Sequence, residues 1–200
     1  MTAEGFILTG GASSRMGRDK ALLELAGVPL ALRAARLLAS LVERVTLVGP
    51  PQLYTALGLP VLPDLQSGAG PLGGIATALN SSRGDWNLVL ACDLPYVTRA
   101  WLQFLYERAN ASAADILLPE SDTGPEPLCA MYRTRAAAHI SAALARGVRK
   151  VTDGLVGLSI ERILRADSKP FDSAGRLFKN MNTPADYEEA RAFFGSRQAP

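Results

Sequence analysis

Two cations near the start of the chain sit in a glycine-rich frame, Leu8-Thr9-Gly10-Gly11-Ala12-Ser13-Ser14-Arg15-Met16-Gly17-Arg18-Asp19-Lys20. Gly10, Gly11 and Gly17 let the backbone turn sharply and approach a ligand, so that exposed N–H groups can meet anionic oxygens. Arg15 and Lys20 add fixed positive charge. Glycines that only made a strand-to-helix turn would leave those two cations unexplained, and a phosphate-bearing ligand explains both features together. The loop lacks the Gly-Lys-Ser/Thr of a Walker A sequence and the GxGxxG spacing of a dinucleotide fingerprint.

Two carboxylates join this loop as candidates. Asp93 follows the apolar run 86–91 (WNLVLA) in Ala91-Cys92-Asp93-Leu94-Pro95. An acid just past a buried strand is placed to hold Mg²⁺, which takes oxygen ligands and commonly only one or two protein carboxylates. An Asp before Pro also starts helices and turns. Asp64 precedes the stretch 70–74 (GPLGG), where Gly70 allows a close backbone approach; an Asp at such a place serves equally as a turn or capping residue. His139, the single histidine, lies in an alanine-rich helix and reads as a surface or packing residue, with no support for a Ser-His-Asp triad.

The elements that must position these residues alternate between short apolar runs and longer segments of helical periodicity, the pattern of an α/β fold with a mostly parallel sheet flanked by helices. Strands are predicted at 6–9, 45–48, 61–62, 86–91, 116–118 and 128–132. Helices are predicted around Leu30, Ala34, Leu37, Leu38 and Leu41, and at 52–57, 71–79, 99–108 and 135–145, the last ended by Gly147. Thr183-Pro184 opens a closing helix over 186–194, with an N-cap residue and Pro at its first position. Segments 121–127 and 168–175 are expected to be mobile loops over a substrate. In open α/β sheets ligands bind outside the carboxyl ends of strands, so the loops after Thr9, Leu62 and Ala91 should converge on one crevice.

At 200 residues the chain suits one domain, and 21 Lys and Arg against 19 Asp and Glu leave a net charge of +2 with no run of like charges. That balance calls for neither nucleic acid nor a membrane surface. The amino terminus has no charged leader followed by a long apolar stretch, and no apolar run reaches about 18 residues, so a cytoplasmic protein is expected. Cys92 and Cys129 match no metal-ligand or CxxC spacing and read as small buried apolar residues.

The glycine-rich loop, LTGGASSRMGRDKALL, resembles the signature loop of the molybdenum cofactor guanylyltransferases, the molybdopterin-guanine dinucleotide biosynthesis protein A family. The usual pattern begins Leu-Ala-Gly-Gly, so Thr9 departs from it, a change of small consequence where the residue offers its backbone. Asp64 with the GPLGG stretch is similar to the family's acid before Gly-Pro-Leu-Ala/Gly-Gly, with Gly73 where alanine is common. Residues 126–132 (EPLCAMY), 147–151 (GVRKV) and 178–184 (FKNMNTP) carry the likeness over nearly the whole chain. A family asparagine after the second strand has no counterpart in 46–50 (TLVGP), which removes an expected base or ribose contact.

The resemblance implies a single Rossmann-like nucleotidyltransferase domain over residues 1–200, with a nucleotide-binding part at about 1–97 and a pterin-binding part at about 98–194. It implies transfer of GMP from GTP to molybdopterin. Leu8, Thr9, Gly10, Gly11, Lys20, Asp64, Gly70 and Asp93 would contact the nucleotide, with Arg15, Lys20 and Asp93 in the catalytic roles and Mg²⁺ on Asp93. Arg149, Asn180 and Asn182 would lie toward the pterin, although Asn182-Thr183-Pro184 also reads as a plain helix cap. Transient contacts with other proteins of cofactor synthesis or delivery are the further expectation. A cytidylyltransferase acting on the same pterin, and a carrier that binds GTP or cofactor without turnover, are the alternatives.

Overall fold

The computed structural model describes residues 1–9, 19–66, 68–172 and 174–196. Its strands are β1 (Ala3–Leu8), β2 (Glu24–Leu25), β3 (Val28–Pro29), β4 (Val45–Val48), β5 (Val61–Leu62), β6 (Trp86–Ala91), β7 (Ile116–Ser121), β8 (Gly124–Pro125), β9 (Cys129–Arg133) and β10 (Ile160–Ile163). Every residue of β6 is buried, as a strand covered on both faces requires, and β1 and β9 flank it. The sheet runs β10-β7-β9-β6-β1-β4-β5, with β8 paired to β7 and β2–β3 forming a separate pair. β1, β4, β5 and β6 are mutually parallel along the path, as are β7 and β10, whereas β9 runs antiparallel to both β6 and β7. The expected mostly parallel α/β architecture is therefore present.

Helices cover both faces. The long ones are α1 (Leu30–Ala39), α3 (Gly70–Ser81), α4 (Arg99–Ala111), α5 (Ala137–Ala145) and α8 (Pro184–Gly195), and the single turns are α2 (Pro51–Tyr54), α6 (Val151–Gly154) and α7 (Arg165–Ser168). Leu38 of α1 and Trp101 and Leu105 of α4 pack with Ile7, Leu88 and Met131 on one side of the sheet. Leu72 and Ile75 of α3, Ile140 of α5 and Val151 of α6 pack with Phe6, Val89 and Tyr132 on the other. A smaller cluster of Leu25, Leu30, Tyr96, Met181 and Ala190 holds α8 against the rest. Cys92 and Cys129 are buried and unbridged, and His139 donates or accepts at the Val156 carbonyl, 2.9 Å away, on the half-exposed outer side of α5.

The first strand starts at Ala3 rather than Phe6 and ends at Leu8 rather than Thr9. Thr9 has left the sheet's strand geometry, yet its N–H still reaches the Val48 carbonyl at 3.1 Å. The 121–127 segment is not simply a loop, since its Gly124–Pro125 pairs back onto β7. Likewise 168–175 contains the end of α7 and a 3₁₀ turn at Lys169–Phe171. β10 was not anticipated because its IERI sequence is short and places two adjacent charges between its apolar residues, on an edge strand.

Gly49, directly after β4, has no room for a side chain. A Cβ there would run into the Thr9 hydroxyl and come within 2.9 Å of the Tyr54 ring. Thr9 Oγ1 occupies that space while donating to the Val48 carbonyl at 2.8 Å. We therefore expect Gly49→Ala to destabilise the protein by about 1–3 kcal/mol, as overpacking typically does, and to cost less in a Thr9→Ala background. Urea unfolding of the four variants forms a double-mutant cycle; equal costs in both backgrounds would show that the hydroxyl does not fill that space.

Candidate functional site

The carboxyl ends of β1 and β6 lie side by side, because the Cys92 N–H donates to the Leu8 carbonyl at 3.1 Å and so carries their parallel pairing one residue past Ala91. The chain leaving β6 then turns at Asp93. Arg15, Gly10 and Gly11, which the sequence places in the next loop, lie outside the described residues. The chain is described again at Asp19, whose two carboxylate oxygens are both used. Oδ1 accepts from the Ala21 N–H at 2.9 Å, capping a 3₁₀ turn over Lys20–Leu22, and Oδ2 accepts from the Tyr54 hydroxyl at 2.6 Å. Lys20 is thereby aimed back over the strand ends.

The Lys20 ammonium lies 3.5 Å from Asp93 Oδ2 and donates to Asn182 Oδ1 at 2.6 Å. Both charged side chains are mostly covered, with 18% and 23% of their area exposed. Burial pushes the Asp93 carboxyl above the usual range, and the Lys20 charge pulls it back only in part. A buried charge with an imperfect partner is poised to accept a second one. Among the described residues no three His, Cys, Asp or Glu side chains cluster as metal ligands. A cation at this point would therefore rest on Asp93 and draw its other ligands from water or from a bound anion.

Asn182 reaches Lys20 because the start of α8 is tightly fixed. Thr183 Oγ1 accepts from the Asp186 N–H at 3.2 Å, and Asp186 Oδ2 accepts from the N–H groups of Thr183 and Asn182 at 2.8 and 3.0 Å. This capping box satisfies helix-end N–H groups reciprocally, and the Thr183 hydroxyl with these N–H groups holds the Asp186 carboxyl below its ordinary range. Met181, buried just before it, donates its N–H to the Asp93 carbonyl at 2.9 Å. Capping and contact with Lys20 are thus done by different residues, Thr183 and Asn182. Asn180 is exposed on the same segment.

The structure brings together Lys20, Asp93 and Asn182, with Leu8 and Thr9 beneath them. It places Asp64 exposed on the loop after β5. Gly70 has φ +65 at the start of α3, a conformation that favours glycine, so its type follows from the backbone turn into the helix. The loop ahead of it is tied down by the Leu65 N–H donating to Thr77 Oγ1 at 3.0 Å. Arg149 stands apart: its guanidinium donates to the carbonyls of Leu144 and Val148 at 3.1 and 2.9 Å and closes the end of α5. Asp19 and Tyr54 were not singled out as site residues. Asp19 was visible only as the acid preceding Lys20, and no pattern marked Tyr54.

A family model described as a MobA-like NTP transferase domain matches residues 5–160. A "Probable molybdenum cofactor guanylyltransferase" from Methanothermobacter thermautotrophicus is 37% identical, with 90% of this chain and 94% of that protein covered. A relative of the same description from Synechococcus elongatus is 34% identical, covering 94% of this chain and 97% of its own length. Among solved structures, the molybdopterin-guanine dinucleotide biosynthesis protein A from Archaeoglobus fulgidus superposes with a TM-score of 0.84 at 27% identity, over 96% of this chain and 99% of that one. On these matches, the chain belongs to the MobA-like NTP transferases and is a nucleotidyltransferase.

Proposed function

We propose that the protein transfers GMP from GTP to molybdopterin, forming the guanine dinucleotide cofactor and releasing diphosphate. The observation that carries this reading is the meeting of Lys20, Asp93 and Asn182, which joins the glycine-rich segment to the carboxyl-terminal segment at one point. The guanylyltransferase names of the relatives support the choice of base and acceptor. A terminal phosphate oxygen of the pterin attacks the α-phosphorus of GTP. The new P–O bond forms as the bond from that phosphorus to the oxygen bridging the β-phosphate breaks.

Two polyanions must approach in line, so positioning and charge neutralisation carry the catalysis and no protein nucleophile is required. Lys20 and Arg15 neutralise the triphosphate; Leu8, Thr9, Gly10, Gly11, Asp64 and Gly70 shape the nucleotide side; Arg149, Asn180 and Asn182 serve the pterin side. Asp93 would hold Mg²⁺, and its buried, partly compensated carboxylate fits an ion that keeps water and phosphate oxygens as its other ligands. The bound ion supplies further neutralisation of phosphate charge. Because Lys20 already sits against Asp93, its ammonium is within reach of whatever anion that carboxylate helps to hold.

Lys20→Ala is expected to lower the single-turnover rate of diphosphate release by about 10²–10³, and Asp93→Ala to do so with a weakened Mg²⁺ dependence. Near wild-type rates for both would overturn the assignment of these roles. Given GTP, CTP and ATP in parallel with molybdopterin, the protein should release diphosphate with GTP alone. A preference for CTP would make it a cytidylyltransferase, and GTP binding without release would make it a carrier.

Asp93 also yields a stability prediction. Its folded pKa is raised, so its contribution to stability is complete below the unfolded value of about 3.9 and is lost as pH rises through the folded value. At neutral pH the ionised side chain therefore costs stability, and an amide of the same shape does not. Asp93→Asn should raise Tm at pH 7.5 in the absence of Mg²⁺, with the gain shrinking toward pH 4.5. A difference in Tm that does not change with pH would show that the carboxylate is fully compensated.

A further inference from the structure

A cavity of about 500 Å³ opens on the α1–α4 face, bounded by α1, the stretch after Asp93, the segment before Met181 and the end of α8. Lys20, Asp93 and Asn182 take no part in its wall, although Cys92 and Leu94, on either side of Asp93, do. The volume falls in the range of small-molecule sites, and its lining is unusual in charge. Four arginines, Arg33, Arg36, Arg99 and Arg176, face one acid, Asp172.

That acid is already engaged, because Asp172 Oδ1 accepts the backbone N–H groups of Arg176 and Leu177 at 2.7 and 3.0 Å. Arg176 has Glu189 at 3.8 Å, and Arg99 Nε donates to the neutral Ser40 hydroxyl at 3.1 Å. Arg33 NH1 reaches the Leu25 carbonyl at 3.3 Å, but its Nε is buried with no hydrogen-bond partner, and so is the Tyr96 hydroxyl. Burial, and then the like charge of Arg36, depress the Arg33 pKa. The excess of guanidinium charge, beside two polar atoms without hydrogen-bond partners among the described residues, favours an anion in the cavity.

The apolar part of the wall is largely aromatic. Tyr96 and Phe194 stack with ring centroids 5.8 Å apart, Phe193 meets Tyr96 edge-on at 5.2 Å, and the Arg33 guanidinium lies 4.2 Å over the Phe194 ring. Guanidinium forks match the oxygens of phosphate, and several of them suit a dianion better than a single carboxylate charge. Aromatic rings favour a flat partner.

We propose that this cavity binds a small organic phosphate with an aromatic body, at a site separate from the Lys20–Asp93 crevice. The phosphate meets Arg33, Arg36 and Arg99, and the aromatic body lies against Tyr96, Phe193 and Phe194.

The test is titration of the full chain with 1-naphthyl phosphate, followed by calorimetry and by the ligand's fluorescence. Wild-type protein and Lys20→Ala should show the same saturable single site. Arg36→Ala/Arg99→Ala, which changes two exposed side chains, should weaken binding by about tenfold or more while leaving the unfolding midpoint in place. Uncharged 1-naphthol should bind at least about tenfold more weakly than its phosphate ester. Absence of saturable binding, equal affinity in the double arginine variant, or loss of binding in Lys20→Ala would each overturn the proposal.

Discussion

The Lys20 ammonium, placed between the Asp93 carboxylate and the Asn182 amide oxygen, sets the terms for everything around it. Removing two charges from water costs several kcal/mol per ion, and a 3.5 Å contact returns only part of that. The carboxyl of Asp93 accordingly remains above its ordinary range despite the adjacent cation. Such a pair persists only where the surrounding structure fixes its members independently. Each member here has its own anchor: Asp93 through its carbonyl to Met181, Lys20 through the Asp19 cap, and Asn182 through its N–H to Asp186. The fully buried central strands, not the pair itself, supply the stability that this arrangement consumes.

The same logic governs the two ends of the glycine-rich loop. Thr9, where it leaves the sheet, gives both its N–H and its hydroxyl to the Val48 carbonyl, which uses both lone pairs of one oxygen. Asp19, where it returns, is held by Tyr54 of α2. Both ends are thus tied to the single unit formed by β4 and the turn that follows it. Gly49 lies between them without a side chain because Thr9 and Tyr54 fill the space. The threonine at position 9 and the absence of a side chain at position 49 are consequently coupled, because the Thr9 hydroxyl fills the space that a Gly49 side chain would enter.

Much of the fold was legible because burial on two faces imposes a continuous apolar run. Trp86–Ala91 could be read as the central strand for that reason, and Asp93 as the acid just past it. Long helices announced themselves through periodicity, Thr183 and Pro184 through capping chemistry. Short elements with few buried residues did not: β10, α6 and the β2–β3 pair each have a single turn or a few residues to show. The Lys20–Asn182 contact spans 162 residues, and no local pattern encodes which amide meets which ammonium. Arg149 carries a second use that its sequence context allows, since a basic residue near a helix end readily satisfies carbonyls, as it does here for Leu144 and Val148.

Overall composition concealed the distribution of charge. A net charge of +2 suggests an unremarkable surface, yet the acids are not spread evenly among the bases. Glu161, Asp115, Glu120 and Asp122 pair with Arg108, Arg135, Arg162 and Arg165 around β7, β10 and their neighbouring helices. Among the described residues, the arginines of the α1 cavity line it with one engaged aspartate, Asp172, and only Arg176 of them has an ion pair, with Glu189. The helix α8 runs from the capping box beside Asn182 to Phe193 and Phe194 at that cavity, whose wall also includes Cys92 and Leu94 on either side of Asp93. A nearly neutral chain can therefore carry two separate sites of positive potential, because its acids are committed elsewhere.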